Sequence, residues 1–362
     1  LERRIKNFGD INMKLSNRVH SEFIVFDIGE RYIKALFVRY KWNGQHEYIY
    51  GLEEETDGIE DQYLVDLRKL SECIFKIIYK IEIEVGVSVK CVSILLSFGQ
   101  FKIKKFDLSV YTNGIVNANH IEWLNNQLVV DSNETILGCI FDYYELDNLK
   151  YIENPIDMCG NNLKYKGQAV IYPTIFIRNI LSAFHRHKID VEYISFIPTI
   201  NHTQIKENDY ILIDMGYRST RVLMKNHNCE GSFFDIKIGF FNIIHKISET
   251  LGCSLSKAEE IITLSPNQSL KVAEICSKIL TETFIHIFTF INKSNFIYKY
   301  NTNIYLNGGL ATVPLIKRFI ELKFDKKVEI LSTNKDFFTS KNHNIFNSCV
   351  HMANFIFDNS KK

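Results

Sequence analysis

Ile24-Val25-Phe26-Asp27-Ile28-Gly29, near the start of the chain, is answered past the middle by Ile211-Leu212-Ile213-Asp214-Met215-Gly216. Each is a short apolar run of the kind a buried strand needs. Each stops at Asp-x-Gly and resumes as a β-branched or apolar strand, Ile33 to Val38 and Arg221 to Met224. The pattern predicts one hairpin used twice. Glycine at such a turn lets backbone N–H groups approach a phosphate closely, and the aspartate is a residue that holds Mg²⁺ through its waters. A third stretch, Ile304-Tyr305-Leu306-Asn307-Gly308-Gly309, has the same strand-then-glycine form and runs into an apolar-periodic helix expected to start near Leu310. Together the three predict a nucleotide held between two related domains.

A single Asp-x-Gly is usually an ordinary turn, so the order of the elements carries the information. Two such hairpins followed by strand-Gly-Gly-helix resemble the layout of the actin-like ATPase superfamily. Asn154-Pro155-Ile156-Asp157-Met158-Cys159-Gly160-Asn161-Asn162-Leu163 is similar to the Asn-Pro-x-Gly-Leu-x-Gly-x-x-Leu segment of the FtsA cell-division proteins and sits where that family has it. The resemblance covers roughly Phe23 to Phe357. It implies an α/β, actin-like (ribonuclease H-like, duplicated) two-domain fold with an FtsA-type inserted 1C subdomain.

On that basis the chain divides as follows. A basic, unordered leader occupies 1–21, domain 1A 22–95, the insert 96–167 and the second part of 1A 168–206. Domain 2A takes 207–240 and 300–332 around a helical subdomain 2B at 241–299, and 333–362 return to 1A. A helix is expected from about Asp61 to Glu84 on the apolar stripe Leu64, Leu67, Leu70, Ile74, Ile77 and Ile81. Others are expected from Asn117 to Leu128, from Phe240 to Leu251 and from Val313 to Leu322, and a final one from Asn344 to Phe357.

Composition is that of a folded chain and does not select a function. The 362 residues are 46% hydrophobic and 23% charged, enough for two cores. A formal net charge of +1 gives no argument for nucleic acid. The cysteines at 73, 91, 139, 159, 229, 253, 276 and 349 form no Cys-x-x-Cys pair, which favours buried thiols over a zinc site. No run of ~18 apolar residues predicts a membrane span. In the helix from Leu270 to Asn292, Lys271, Glu274, Lys278, Glu282 and His286 interleave with the apolar stripe, so it reads as a packed helix.

By resemblance, Asp27 and Gly29 match the first phosphate motif, and Asp214, Gly216 and Ser219 the second. Gly308 and Gly309 match the adenosine motif, and Glu259 the acidic residue that reads ribose or base. The implied cofactor is ATP with Mg²⁺, the metal resting on Asp27 and Asp214. The chain also departs from the family. Glu30 and Arg31 replace small hydroxyl residues after the first Asp-x-Gly, and a carboxylate beside a triphosphate is repulsive unless it turns outward. Tyr217 and Arg218 stand where the second motif has glycines, and Ile262 stands where a basic residue is expected three positions after Glu259. Arg218 reads either as a phosphate contact or as a solvated loop arginine.

No segment spells a water-orienting residue or an aspartate base, so no catalytic residue is assigned and the chain reads as a non-enzyme. The nucleotide is then a structural or switching ligand, or the pocket has decayed and the fold persists as a scaffold. The implied function is that of a division adaptor which binds FtsZ, self-associates as a homopolymer, meets later division proteins through the insert and helps assemble the Z ring. A type IV pilus adaptor and a small-molecule kinase of the same fold are the alternatives. The expected location is cytoplasmic, peripheral on the inner membrane. Leu1, Ile5, Phe8, Ile11 and Leu15 offer at most a weak, interrupted membrane-facing helix, so attachment is expected through polymer or partner.

Overall fold

The computed structural model describes residues 13–14, 21–41, 46–207, 209–226, 229–263, 270–293, 302–331 and 343–360. The chain divides into two units, Leu1–Gln204 with Ser348–Lys362, and Ile205–Asn347.

The first unit is built on β1 (Met13–Lys14), β2 (Glu22–Ile28), β3 (Tyr32–Tyr40), β4 (His46–Glu55), the small hairpin β5 (Ile59–Glu60) and β6 (Tyr63–Leu64), and helix α1 (Leu67–Val85). Then come β7 (Cys91–Leu96), an inserted segment carrying β8 (Lys102–Ile115), α2 (Ala118–Gln127), β9 (Glu134–Leu146), β10 (Leu149–Ile152) and β11 (Cys159–Pro173), and then α3 (Thr174–His185), β12 (Asp190–Phe196) and α4 (Ile197–Asn201). The principal sheet has the order β1-β12-β7-β2-β3-β4. Strand β2 is antiparallel to β3 and parallel to β7, because a tight turn joins the first pair and α1 crosses over to the second. Met13 and Lys14, expected within an unordered leader, pair with Ile194 and Tyr193 of β12. The other leader residues, and with them the expected N-terminal membrane-facing stripe, lie outside the described residues.

Helix α1 begins six residues later than expected, and the cause is local. Residues 59–64 are committed to a hairpin whose turn residues Asp61 and Gln62 sit at φ 47 and 66. Asp66 then caps the helix by accepting from the Arg68 and Lys69 amides, and Gly86 ends it at φ 72. The helix buries Leu70, Ile74, Ile77, Ile78 and Ile81, each contributing roughly 1.5–3 kcal/mol.

The inserted segment forms its own antiparallel sheet, β10-β9-β11-β8, with α2 over one face. Val116, Leu124, Leu146, Leu163 and Tyr165 are its core. The Asn154 to Leu163 segment feeds β11. Asn154 Oδ1 accepts from the Ile156 amide, Asp157 takes φ 66, and the Asp147 carboxylate accepts from the Asn161 and Asn162 amides. Strand β11 runs past the expected end of the insert at 167, because Gln168 to Pro173 remain paired with β9.

The second unit repeats the plan with β13 (Tyr210–Met215), β14 (Thr220–Asn226), β15 (Cys229–Ile236), α5 (Phe240–Leu251), α6 (Leu255–Thr263), α7 (Leu270–Lys293), β16 (Asn303–Asn307), α8 (Pro314–Phe324) and β17 (Val328–Ile330). Its sheet order is β15-β14-β13-β16-β17. Setting β13 on β2, β14 on β3, β15 on β4, β16 on β7 and β17 on β12 superposes the two orders, parallel and antiparallel neighbours included. The duplication inferred from two hexapeptides therefore extends to five strands. The helix expected from Leu310 is instead a 3₁₀ turn, Gly309–Thr312, with α8 beginning at Pro314. Proline supplies a favourable first helical φ and disfavours helix in the residue before it.

The last helix, α9 (Asn347–Ser360), buries Cys349, Met352, Ala353 and Ile356. His351, 1% exposed, shares a 2.8 Å hydrogen bond with Asn201 Oδ1. Burial pushes its imidazole down to about 3.

Candidate functional site: the strand ends at the two Asp-x-Gly turns

In the first unit β2 carries Asp27 to the sheet end, 7% exposed. The turn that follows is closed by Gly29 N donating to Tyr32 O at 3.1 Å, and a Cβ at Gly29 would stand 2.8 Å from that carbonyl. Thr56 Oγ1 donates to Gly29 O at 2.9 Å. Glu30 turns away from the loop and receives the Asp61 and Gln62 amides at 3.0 and 3.1 Å, so this carboxylate holds the β5–β6 turn. Arg31 Nη2 lies 3.3 Å from Glu55 Oε1. Lys34 stands directly opposite Asp27 across the strand pair, its Nζ 3.8 Å from Asp27 Oδ2. Cys349 of α9 lies beneath the same strand end; burial raises its thiol well above the usual range, and the charge of Asp27 adds to the effect.

The second unit repeats the turn. Gly216 N donates to Ser219 O at 2.9 Å, and a Cβ at Gly216 would meet that carbonyl at 3.0 Å. Asp214 is 4% and Ser219 3% exposed. Opposite Asp214 stands Arg221, the seventh residue after the aspartate in this copy as Lys34 is in the other. Arg221 is 1% exposed, with Nη1 3.7 Å from Asp214 Oδ2 and Nε 3.5 Å from Asp235 Oδ1. Asn307, at the end of the parallel neighbour β16, donates to Asp214 Oδ1 at 2.8 Å. Gly308 follows at φ 89, where a Cβ would lie 2.3 Å from Met215 O, so only glycine lets the chain leave β16 this close to β13. The structure thus brings Asp214, Gly216, Ser219, Gly308 and Gly309 to the ends of two adjacent strands.

The remaining calls on this unit divide. Tyr217 packs its ring edge-on to Phe241 at 5.8 Å and against the core of the unit. Arg218, read either as a phosphate contact or as a solvated arginine, is half-buried. Its guanidinium lies over the Phe241 ring, 3.7 Å from the centroid. The start of α5 is satisfied from within: Phe240 N donates to Gly216 O, Phe241 N to Tyr217 O and Asn242 N to Gly239 O. These amides are consequently not directed at a ligand phosphate. Glu259 is half-buried on α6. The basic residue missing at 262 is an isoleucine because that position is fully buried in the core.

The surroundings of the Asp214 carboxylate do not fit the magnesium role that the resemblance implies for it. Asp214 Oδ1 is taken by Asn307, and Oδ2 faces a guanidinium withdrawn from water. Among the described residues no group of three or more His, Cys, Asp or Glu side chains is placed to hold a metal. Sequence reading missed Lys34, Arg221, Asn307 and Asp235. The signal for the first two was present: a cation at the same offset from the aspartate in both copies, which equal turns place directly across the hairpin.

No family model matches the chain. In sequence it is 23% identical over 319 residues to the cell division protein FtsA of Buchnera aphidicola subsp. Baizongia pistaciae, covering 75% of each. In structure it is similar to a chain of the PilM-PilN type IV pilus biogenesis complex, with a TM-score of 0.64 at 11% identity over 94% of this chain and 99% of that one. Spiroplasma citri MreB5 bound to AMPPNP gives a TM-score of 0.52 at 9% identity, over 95% and 98%. Among the described residues no helix is long and apolar enough to cross a membrane.

Proposed function

We propose, from the premise that the chain is an FtsA-like protein with the actin-like ATPase fold, that it is a division adaptor. In this reading it binds FtsZ, self-associates, and helps to assemble and tether the Z ring at the cytoplasmic face of the membrane. The observation that carries it is the sequence likeness to FtsA over 319 residues. The inserted antiparallel sheet, into which the FtsA-like Asn154 to Leu163 segment leads, supports it. The chain acts as a scaffold and not as a catalyst. An adenine nucleotide is its proposed ligand, met in one unit at Asp27 and Gly29 and in the other at Asp214, Gly216, Ser219, Glu259, Gly308 and Gly309. The AMPPNP held by MreB5 in the same fold supports that ligand class.

A pilus-type adaptor is the second reading, favoured by the TM-score of 0.64 to the PilM-PilN structure. The two separate in one experiment. Purified protein is used to pull down FtsZ from the same source, with the isolated FtsZ C-terminal tail as competitor. Capture that the tail abolishes supports the division adaptor; no capture of FtsZ at any concentration overturns it.

A further inference from the structure

The register of the two sheets places a third charge beside each aspartate–cation pair. In the second unit Asp214 on β13 faces Arg221 on β14, and Arg221 faces Asp235 on β15. In the first unit Asp27 on β2 faces Lys34 on β3, and Lys34 faces Glu53 on β4. Acid, base and acid therefore run across three neighbouring strands in both halves, at equivalent positions of a duplicated fold. Directly opposed residues on neighbouring strands share a face and interact. The row in the second unit is the more enclosed. Arg221 is 1% exposed and lies within 3.7 Å of both carboxylates, Asn307 closes the far side of Asp214, and Lys237 Nζ balances Asp235 at 2.6 Å. The four charges Asp214, Arg221, Asp235 and Lys237 sum to zero without any bound ion.

We propose that these rows replace a divalent metal: Arg221 and Lys34 are the resident counter-ions of Asp214 and Asp27, and the protein takes its anionic ligand as a metal-free polyphosphate. The ligand half of this statement rests on the nucleotide reading above; the metal half does not. Arg221 is a positioning residue. It is too deeply enclosed to meet a ligand, and it fixes the Asp214 carboxylate against Asn307, the residue before Gly308. Lys34, with 15% of its side chain exposed, is the more accessible of the two cations.

The test uses the full chain and two probes. The first is Mn²⁺, titrated by electron paramagnetic resonance. Wild-type protein should bind no Mn²⁺ stoichiometrically below about millimolar concentration, the weak end of the range that carboxylate and carbonyl oxygen sites span. Arg221→Met, which leaves Asp214 without its counter-ion, should tighten Mn²⁺ binding at least tenfold. One Mn²⁺ bound at micromolar concentration by wild type, and lost in Asp214→Asn or Asp27→Asn, overturns the proposal. Should Arg221→Met fail to fold, the wild-type titration decides alone. The second probe is ATP, measured by calorimetry in EDTA and in excess Mg²⁺. The dissociation constant should differ by less than threefold, and a tenfold or greater tightening by Mg²⁺ overturns metal independence. Absence of ATP binding in both buffers refutes the nucleotide reading, while the Mn²⁺ titration still decides whether the carboxylates are closed to metal.

Discussion

Gly308→Ala should damage the second unit far more than Gly309→Ala, although the two glycines are adjacent and were read as one motif. At Gly308 φ is 89, and an added Cβ would lie 2.3 Å from Met215 O and 2.9 Å from Met215 N. An L-residue in the left-handed region costs roughly 1–2 kcal/mol. The clash comes on top of this, and because its partner is backbone no rotamer change relieves it. Either β13 or β16 must move, and both hold the Asn307–Asp214 hydrogen bond of 2.8 Å. A buried polar group left without its partner costs about 1–3 kcal/mol. These two terms together come to about 2–5 kcal/mol for this unit, before the clash is counted. At Gly309 an added Cβ meets nothing within 4 Å, so the control should cost ~1 kcal/mol or less. Hydrogen exchange read by mass spectrometry on peptides covering 210–226 and 303–312 localises the effect, and urea midpoints give its size. Equal effects of the two substitutions, or a loss below ~1 kcal/mol for Gly308→Ala, would refute the argument that close approach of the two strands fixes the glycine.

Three further outcomes follow from particular contacts. Burial holds the His351 imidazole at about 3 in the folded protein, against 6.5 for a free side chain, so the unfolded chain binds the extra proton and stability is lost as pH falls below about 6.5. The slope approaches ~1.4 kcal/mol per pH unit, about 2 kcal/mol by pH 5, and His351→Gln should flatten that part of the urea-midpoint profile. An unchanged slope in the variant would assign the acid sensitivity elsewhere. The double substitution Tyr217→Gly with Arg218→Gly should not open a phosphate site; it should lower the stability of the second unit by roughly 2–4 kcal/mol through lost ring packing and the cation–π contact, with tighter ATP binding in calorimetry as the contrary result. Glu30→Ala removes the acceptor of two turn amides and should cost about 1–2 kcal/mol, with faster exchange at Asp61 and Gln62; protection equal to wild type there would show that the turn holds itself.

The duplication was legible because a buried strand that stops at Asp-x-Gly leaves a strong local pattern, and the pattern recurred. The α5 helix was legible to the residue, since the chain from Phe240 to Leu251 is amphipathic and ends at a left-handed Gly252. What local pattern could not supply was the use of side chains across strands. Glu30 looked hostile to phosphate, and only the path of residues 59–64 shows that it serves a distant turn. Arg218 looked like a loop cation because its partner Phe241 lies 23 positions on, beyond β14 and β15. Arg221 looked like an ordinary strand residue. Its role appears only when β13, β14 and β15 are set in register. The α8 helix was legible too, expected at Val313 to Leu322 and found at Pro314–Phe324, while the apolar spacing from Leu310 belongs to the 3₁₀ turn before it.

The same comparison explains why Asp-x-Gly persists in both halves while the positions after it have diverged. The glycine is fixed by the turn, where a Cβ would press on the carbonyl of Tyr32 or Ser219. The aspartate is fixed by the cation opposite, because removing one partner of a buried pair leaves the other uncompensated, at about 3–5 kcal/mol. Neither constraint involves a nucleotide. The residues that follow have each taken work inside the protein: Glu30 at the β5–β6 turn, Arg31 at Glu55, Tyr217 and Arg218 on Phe241. The Asp-x-Gly signature in this chain therefore reports the hairpin and its charge row, whatever ligand the proposed nucleotide site takes. For that reason Asp214→Asn is better read by stability than by nucleotide affinity. It strands the Arg221 charge beside Asp235 alone, so the variant should lose stability even in buffers free of nucleotide and metal, whereas Asp214→Asn combined with Arg221→Met, which removes both charges, should recover part of that loss. A double variant no more stable than the single one would show that the row is not what holds the strand ends together.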